Sequence, residues 1–199
     1  MILWSTAIVG HIMRKRTEKH LSKSRANYAK KAGRAPGSIV HLGEIKMSRP
    51  DITLFDYGRE KLTEVTFDSI EESRTHTGSG PCLWLNVHGL HDTRVMEEIG
   101  ARFQLHPLVL EDIANTQQRP KLDEYENYEF VALRTFHYDI TTHNAVSDQI
   151  SLVLGKDFLL SFQERTTGLI EPVRNRLRQT DSGLRRAGSG ALLQAHIDA

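Results

Sequence analysis

What the sequence lacks narrows it first. No apolar run reaches the roughly eighteen residues that a membrane span requires. The longest candidate, Met1 to Met13, is broken by Ser5, Thr6, Gly10 and His11. It has no basic leader, since Arg14-Lys15-Arg16 follow it, so it reads as an unprocessed start or a disordered tip rather than a secretory signal. Cys82 is the only cysteine, which rules out an internal disulfide and points to a reducing compartment. It lies inside an apolar stretch, where a thiol is inert packing. With no cysteine cluster, a soft-metal site is excluded. His88 and His91 have H-x-x-H spacing, but they straddle a strand end and a loop, and no Glu follows the first as a zinc protease needs. Gly78-Ser79-Gly80 is too short for a phosphate-binding loop and lacks its Lys-Ser/Thr ending. No Gly-x-Ser-x-Gly elbow occurs, and no internal repeat is found.

What is present is enough for one domain. The 199 residues are 39% hydrophobic and 26% charged, a globular balance with a sizeable core. The net charge of +1 hides an uneven distribution. Between Arg14 and Arg34 the chain carries nine Lys or Arg residues against the single acid Glu18, so the remainder is net acidic. Residues 1–35 therefore read as a basic, disordered arm. Nucleic acid is not assigned as its partner, because only Tyr28 offers a ring for base stacking.

Residues 36–199 read as the folded domain. Ile39 to Leu42 is expected as a first strand, Ile52 to Tyr57 as a second, and Leu62, Val65 and Phe67 as a third. Cys82 to Val87 is nearly continuous in apolar residues, the pattern of a strand covered on both faces. Asp92 or Thr93 caps a helix whose buried stripe is Val95, Ile99 and Phe103. From Lys121 the texture turns to β. Phe130 to Tyr138, Val146 to Leu154 and Phe158 to Phe162 form an antiparallel meander, with Asp139 to Ala145 and Gly155-Lys156-Asp157 as turns. Ile170, Val173 and Leu177 mark an amphipathic helix. Another begins at Ala191 after a Gly- and Arg-rich break, and it has no far cap, so the chain reads as cut rather than finished. Strands interleaved with helices, then a meander, then helices, predict an α/β fold with a mixed sheet and helices on both faces.

The stretch His106 to Lys121, HPLVLEDIANTQQRPK, stands out. Pro107 suits the first position of a helix, and Pro120 prevents its extension. Glu111 and Asp112 sit together within it, about 100° apart around the axis, so one of them must face something polar. By spacing alone they are a metal-ligand pair, a surface charge pair or partners of the helix dipole. Asp112 is expected to be exposed, with Leu108 and Leu110 or Ile113 inward. Trp84 is expected to be buried.

HPLVLEDI and QRPK, followed in order by Tyr125-Glu126-Asn127-Tyr128, Gln149-Ile150-Ser151-Leu152, Phe162-Gln163-Glu164 and Pro172-Val173-Arg174, resemble the cytoplasmic N-terminal domain of the CorA family of magnesium channels. The likeness runs from Pro36-Gly37-Ser38 to Ile197-Asp198. The family's pore helices and Gly-Met-Asn signature are absent from these residues. The resemblance implies an αβα sandwich over residues 36–199, truncated before the stalk and transmembrane helices. It implies that the position of Asp112 binds a divalent ion between neighbouring subunits, that Glu111 lies at a second ion position, and that Asp198 contributes to that second site. The remaining partner carboxylate comes from a helix beyond residue 199. Mg2+ is implied as both the regulatory and the transported ion, with Co2+ as a further cargo.

The implied whole is a non-enzymatic homopentamer anchored in the inner or plasma membrane, with this domain on the cytoplasmic side. The fragment alone is expected to be monomeric or weakly associated. Three rival readings remain open: a zinc-transporting relative of the ZntB group, a soluble metal-dependent enzyme using Glu111, Asp112 and His106, and a nucleic-acid module using the basic arm.

Overall fold

The apolar run at Cys82 becomes β3 (Cys82–His88), in the interior of a seven-stranded sheet. The structure, a computed structural model, describes residues 33, 35–76, 78, 80–141 and 143–199. The Met1 to Met13 stretch and, apart from Gly33 and Ala35, the basic arm of residues 1–35 lie outside the described residues. The other strands are β1 (Asp51–Tyr57), β2 (Leu62–Phe67), β4 (Lys121–Glu124), β5 (Tyr128–Asp139), β6 (Asn144–Gly155) and β7 (Phe158–Gln163). Their order across the sheet is β2-β1-β3-β7-β6-β5-β4, with every neighbouring pair antiparallel except β3 and β7.

Alternation along β3 feeds two cores. Leu85 and Val87 face a layer holding α1 (Thr93–Phe103) and α2 (Pro107–Ala114), whose Met96, Ile99, Val109 and Ile113 are buried against Leu54, Phe130 and Leu160. Trp84 faces the opposite layer, with α3 (Glu171–Arg178) and α4 (Gly188–Ile197), where Val173, Leu177 and Leu192 pack on Phe55, Leu152 and Leu159. Helices on both faces of a mixed sheet make the αβα sandwich, and β3 is a two-sided strand because both of its faces are covered. Asp92, not Thr93, caps α1, its carboxylate accepting the N–H of Arg94 at 3.0 Å. Gly100 lets α2 approach α1, since a Cβ there would stand 2.4 Å from a methyl of Leu110.

One expected strand is not formed. Of Ile39 to Leu42, only Leu42 makes a β-bridge, to Asn115, with Leu42 N–H donating to Ala114 O and Thr116 N–H to Leu42 O. A segment that meets a helix end has no continuous edge to pair with. The Gly- and Arg-rich break contains a 3-10 turn, Gly183–Arg186, before α4 begins at Gly188, three residues earlier than Ala191.

The α3/α4 face carries a buried polar layer. Trp84 Nε1 donates to Ser161 Oγ at 2.8 Å, and Ser161 Oγ donates to Asn86 Oδ1 at 2.8 Å. His196 crosses the Trp84 ring edge-on at 4.7 Å, its Nδ1 against Leu192 O at 2.8 Å and its Nε2 without a hydrogen-bond partner. Burial pushes the pKa of His196 down to about 4, although its bond to Leu192 pulls the other way.

Two predictions follow from this packing. Trp84 is fully buried, stacks on Phe55 at 4.4 Å and holds Ser161. Trp84→Ala should cost about 3–5 kcal/mol in urea unfolding, and a loss below about 1 kcal/mol would contradict its placing in the core. For His196, the unfolded chain takes up a proton more readily than the folded one. Its contribution to stability is therefore complete above the ordinary value of 6.5, declines as pH falls toward about 4, and is flat below. The span is at most about 3 kcal/mol. His196→Gln should flatten that part of the stability profile.

Candidate functional site

The stretch around α2 is held by its own ends. Pro107 occupies the first helical turn, and His106 caps it, Nδ1 accepting the N–H of Leu108 at 3.2 Å. His106 N–H in turn donates to Tyr128 Oη at 2.8 Å. With its Nδ1 committed to the cap, His106 acts as a helix-start residue, which weakens the enzyme reading that enlisted it. Val109, Leu110, Ile113 and Ala114 are buried, whereas Leu108 is 42% exposed. The expectation that Leu108 faces inward is thus corrected. Adjacent helical positions diverge by about 100°, and the buried stripe is centred on Val109 and Ile113.

The same divergence sends the two acids to different partners. Glu111 Oε2 accepts the N–H of Gly37 at 2.8 Å. Asp112 points toward β4, where Lys121 Nζ lies 2.7 Å from its Oδ2, and Gln118 Nε2 donates to its Oδ1 at 3.0 Å. Lys121 also reaches Asp123 Oδ2 at 2.5 Å, and its ammonium stands 5.4 Å from the centre of the Phe130 ring. Burial lowers the pKa of Lys121, but hydrogen bonds to Asp112 and Asp123 outweigh it and leave the value raised. The Asp112 side chain is 18% exposed, so it is half-buried and ion-paired rather than freely exposed as expected. Gln149 Nε2 fixes the helix beneath it by donating to Asp112 O at 3.2 Å.

Asp198 sits apart from this pair. It caps the end of α4, its Oδ1 accepting from Gln194 Nε2 at 2.9 Å, in the layer on the other side of the sheet from α2. The structure brings Asp112 together with Gln118, Lys121 and Asp123; it does not bring Asp198 to Glu111 or Asp112 within one chain. Among the described residues no group of three or more His, Cys, Asp or Glu is placed to hold a metal ion. Single hard carboxylates still suit a hydrated Mg2+, which keeps most of its waters and takes only one or two protein oxygens. Asp112 would supply one such oxygen.

The other candidates resolve as packing. His88 is buried, within 3.1 Å of Gln163 Oε1, and burial lowers its pKa. The Cys82 thiol meets Tyr57 Oη at 3.1 Å, and burial raises its pKa. Two features escaped sequence reasoning. Lys121 reads only as the point where the texture turns to β, yet it is the direct partner of Asp112. Its nine-residue separation from Asp112 and the charge sign were the available signals. The second is an ion cluster in which Lys46 Nζ reaches Asp148 Oδ1 at 2.5 Å and Glu164 Oε2 at 2.6 Å, with Arg165 Nη2 at 2.9 Å from Asp148. Lys46 and Arg165 of this cluster line an open groove with Ile45, Tyr138 and Ile140, and nothing in the sequence pattern joins Lys46 to Asp148.

Comparison with known proteins bears on the family and the fold. The family described as CorA-like Mg2+ transporter protein matches residues 80–198. The chain is 37% identical over 169 residues to the cobalt/magnesium transport protein CorA of Thermotoga maritima, covering 85% of this chain and 48% of that protein. It is 30% identical over 94 residues to the putative metal ion transporter YfjQ of Bacillus subtilis, covering 47% of this chain and 28% of that one. The chain thus spans about half the length of the first relative and less of the second. In fold it is similar to the soluble domain of CorA from Methanocaldococcus jannaschii, with a TM-score of 0.55 at 12% identity over 74% of this chain and 54% of that one. The ZntB cytoplasmic domain from Vibrio parahaemolyticus gives 0.53 at 16% identity, over 75% and 57%.

Gly37 provides a test of how the site is anchored. Its φ is +82°, and a Cβ there would lie 2.7 Å from Pro107 Cβ. Gly37→Ala should cost about 1–3 kcal/mol. Gly168→Ala, at φ +76° with nothing within 4 Å, should cost less. Equal losses in urea unfolding would mean that the contact with Pro107 adds nothing.

Proposed function

The chain belongs to the family of CorA-like Mg2+ transporter proteins, and from that premise we propose that it is the cytoplasmic, divalent-cation-sensing domain of a membrane channel for Mg2+, with Co2+ as a further cargo. The observation that carries the reading is the placing of Asp112. A short helix anchored at both ends holds its half-buried carboxylate in the family-matched segment, in contact with a lysine and an amide. Among the described residues no helix is long and apolar enough to cross a membrane, so conduction is assigned to other parts of the whole protein.

In the proposed assembly, a homopentamer, Asp112 of one subunit faces a carboxylate of its neighbour with a hydrated Mg2+ between them. Glu111 and Asp198 are assigned to a second ion position of the same kind. The chemistry is electrostatic. Two carboxylates at close range repel, and a dication between them reverses the sign of the contact. Ions present on the cytoplasmic side hold the ring symmetric and shut; their loss loosens it. No bond is made or broken, so the domain is read as a sensor rather than an enzyme.

Asp112→Asn keeps the size of the side chain and removes its charge, so both the repulsion and the ion affinity fall. In liposomes holding the full-length protein, Asp112→Asn should need more internal Mg2+ than wild type to shut off Mg2+ flux. Identical inhibition curves from two folded proteins would remove Asp112 from the sensor. A flux of Zn2+ in place of Mg2+ would reassign the cargo.

A further inference from the structure

We infer that Lys121 is an internal competitor for the cation site at Asp112, occupying the carboxylate while no divalent ion is bound and withdrawing to Asp123 when one arrives. The inference rests on the reading of Asp112 as a cation ligand and concerns how that ligand is made available.

The geometry is that of one cation shared by two carboxylates. Lys121 Nζ lies 2.7 Å from Asp112 Oδ2 and 2.5 Å from Asp123 Oδ2, which leaves one negative charge in excess. Gln118 covers the other Asp112 oxygen with a neutral N–H at 3.0 Å. A dication that approaches Asp112, directly or through one of its waters, meets an ammonium already in place. Like charges at that range repel strongly, so the two cations do not share the carboxylate. The ammonium has somewhere to go. Asp123 is already bonded to it and is the most exposed of the three side chains. A lysine carries a compact charge on a flexible stem, and a small rotation of that stem exchanges one oxygen for the other. After the exchange Asp123 keeps a full counter-ion, Asp112 is released, and no proton moves.

The Lys46 cluster shows why the same is not inferred there. Lys46 also bridges two carboxylates, Asp148 and Glu164, but both are about 95% buried, and Arg165 holds Asp148 as well. Displacing Lys46 would strand a buried charge, which is strongly unfavourable. Lys121 and its two partners are partly in water, where an ion pair is weak enough to be exchanged. The affinity for the divalent ion is then that of a bare Asp112 diminished by the lysine contact, a factor of up to about five.

The test uses Mn2+ binding to the whole chain, followed by electron paramagnetic resonance and competed with Mg2+. Lys121→Met should bind Mn2+ about two- to fivefold more tightly than wild type, and adding Asp112→Asn should cancel the gain. Lys61→Met, removing an exposed lysine in the turn between β1 and β2, should give no comparable gain; an equal one would reduce the effect to bulk charge and overturn the inference. Lys121→Met binding no tighter than wild type, while Asp112→Asn still weakens binding, would overturn the competition and leave the sensor reading standing. Asp112→Asn without effect in either background would overturn both. A readout on the wild-type chain is independent of whether a variant folds: the side-chain 15N signal of Lys121 should move as Mg2+ saturates. A signal that stays in place at saturation would overturn the exchange.

Discussion

The parallel pairing of β3 with β7 is the constraint from which the rest of the architecture follows. Parallel neighbours cannot be joined by a hairpin, so the chain must leave one end of β3 and return to the other. Here the crossover is a whole subassembly. It lays α1 and α2 over one face and then builds β4, β5 and β6 outward before turning back into β7. The acids on α2 owe their place to that route. α2 lies between the covered face and the start of β4, so its buried stripe docks on the core while Asp112 meets the first residue of the edge strand. A sheet wound entirely as hairpins would have no helix at that position.

The pairing is held in register by polar groups as well as apolar ones. On the α3/α4 face, Trp84, Ser161 and Asn86 form one chain of hydrogen bonds across β3 and β7. A slip of one residue would turn Ser161 to the opposite face and leave the indole N–H and the Asn86 amide buried and unpaired. Apolar contacts alone tolerate such shifts more easily, because Leu and Val are near equivalents on either face. His88 extends the same layer to Gln163, at the last paired position of both strands.

How much of this was legible depended on whether a residue's partner lay nearby in sequence. Cys82 to Val87 announced a two-sided strand because both alternating sets are apolar except Asn86, and the meander announced itself by its turns. Asp92 and His106 were readable as helix starts, since capping acts over two or three residues. Leu108 was misplaced because a short helix has a narrow buried stripe, and one residue of rotation decides which leucine is wet. The Ile39 to Leu42 strand failed because its β composition found only a helix end to meet. Lys121 escaped notice for a related reason. Its significance lies in a contact across a turn and a strand start, which periodicity cannot express. The Lys46, Asp148 and Glu164 cluster joins residues about a hundred positions apart, and no local pattern encodes it.

The lysine also changes what an acidic sensor means physically. A model built only on repulsion treats the ion-free carboxylates as bare charges, and the energy released by the ion is then the full interaction of a dication with an anion. In this structure Asp112 is not bare, since Lys121 Nζ lies 2.7 Å from it. On the proposed exchange, removing a divalent ion would return the ammonium of Lys121, so the relevant quantity would be the difference between two ion pairs rather than the strength of one. That difference is smaller than either term, and it sets a weak apparent affinity without requiring a poor ligand. Weak affinity is what a sensor of an abundant ion needs, since a site that is saturated under all conditions reports nothing. In the proposed assembly it would also limit the repulsion across a subunit contact, because each ion-free carboxylate would meet its neighbour already partly neutralised. The excess charge that remains is the one negative charge shared between Asp112 and Asp123. On that proposal Asp123 would belong to the site electrostatically without contacting the ion, and the charge that opens the contact would be delocalised over two side chains on two different elements.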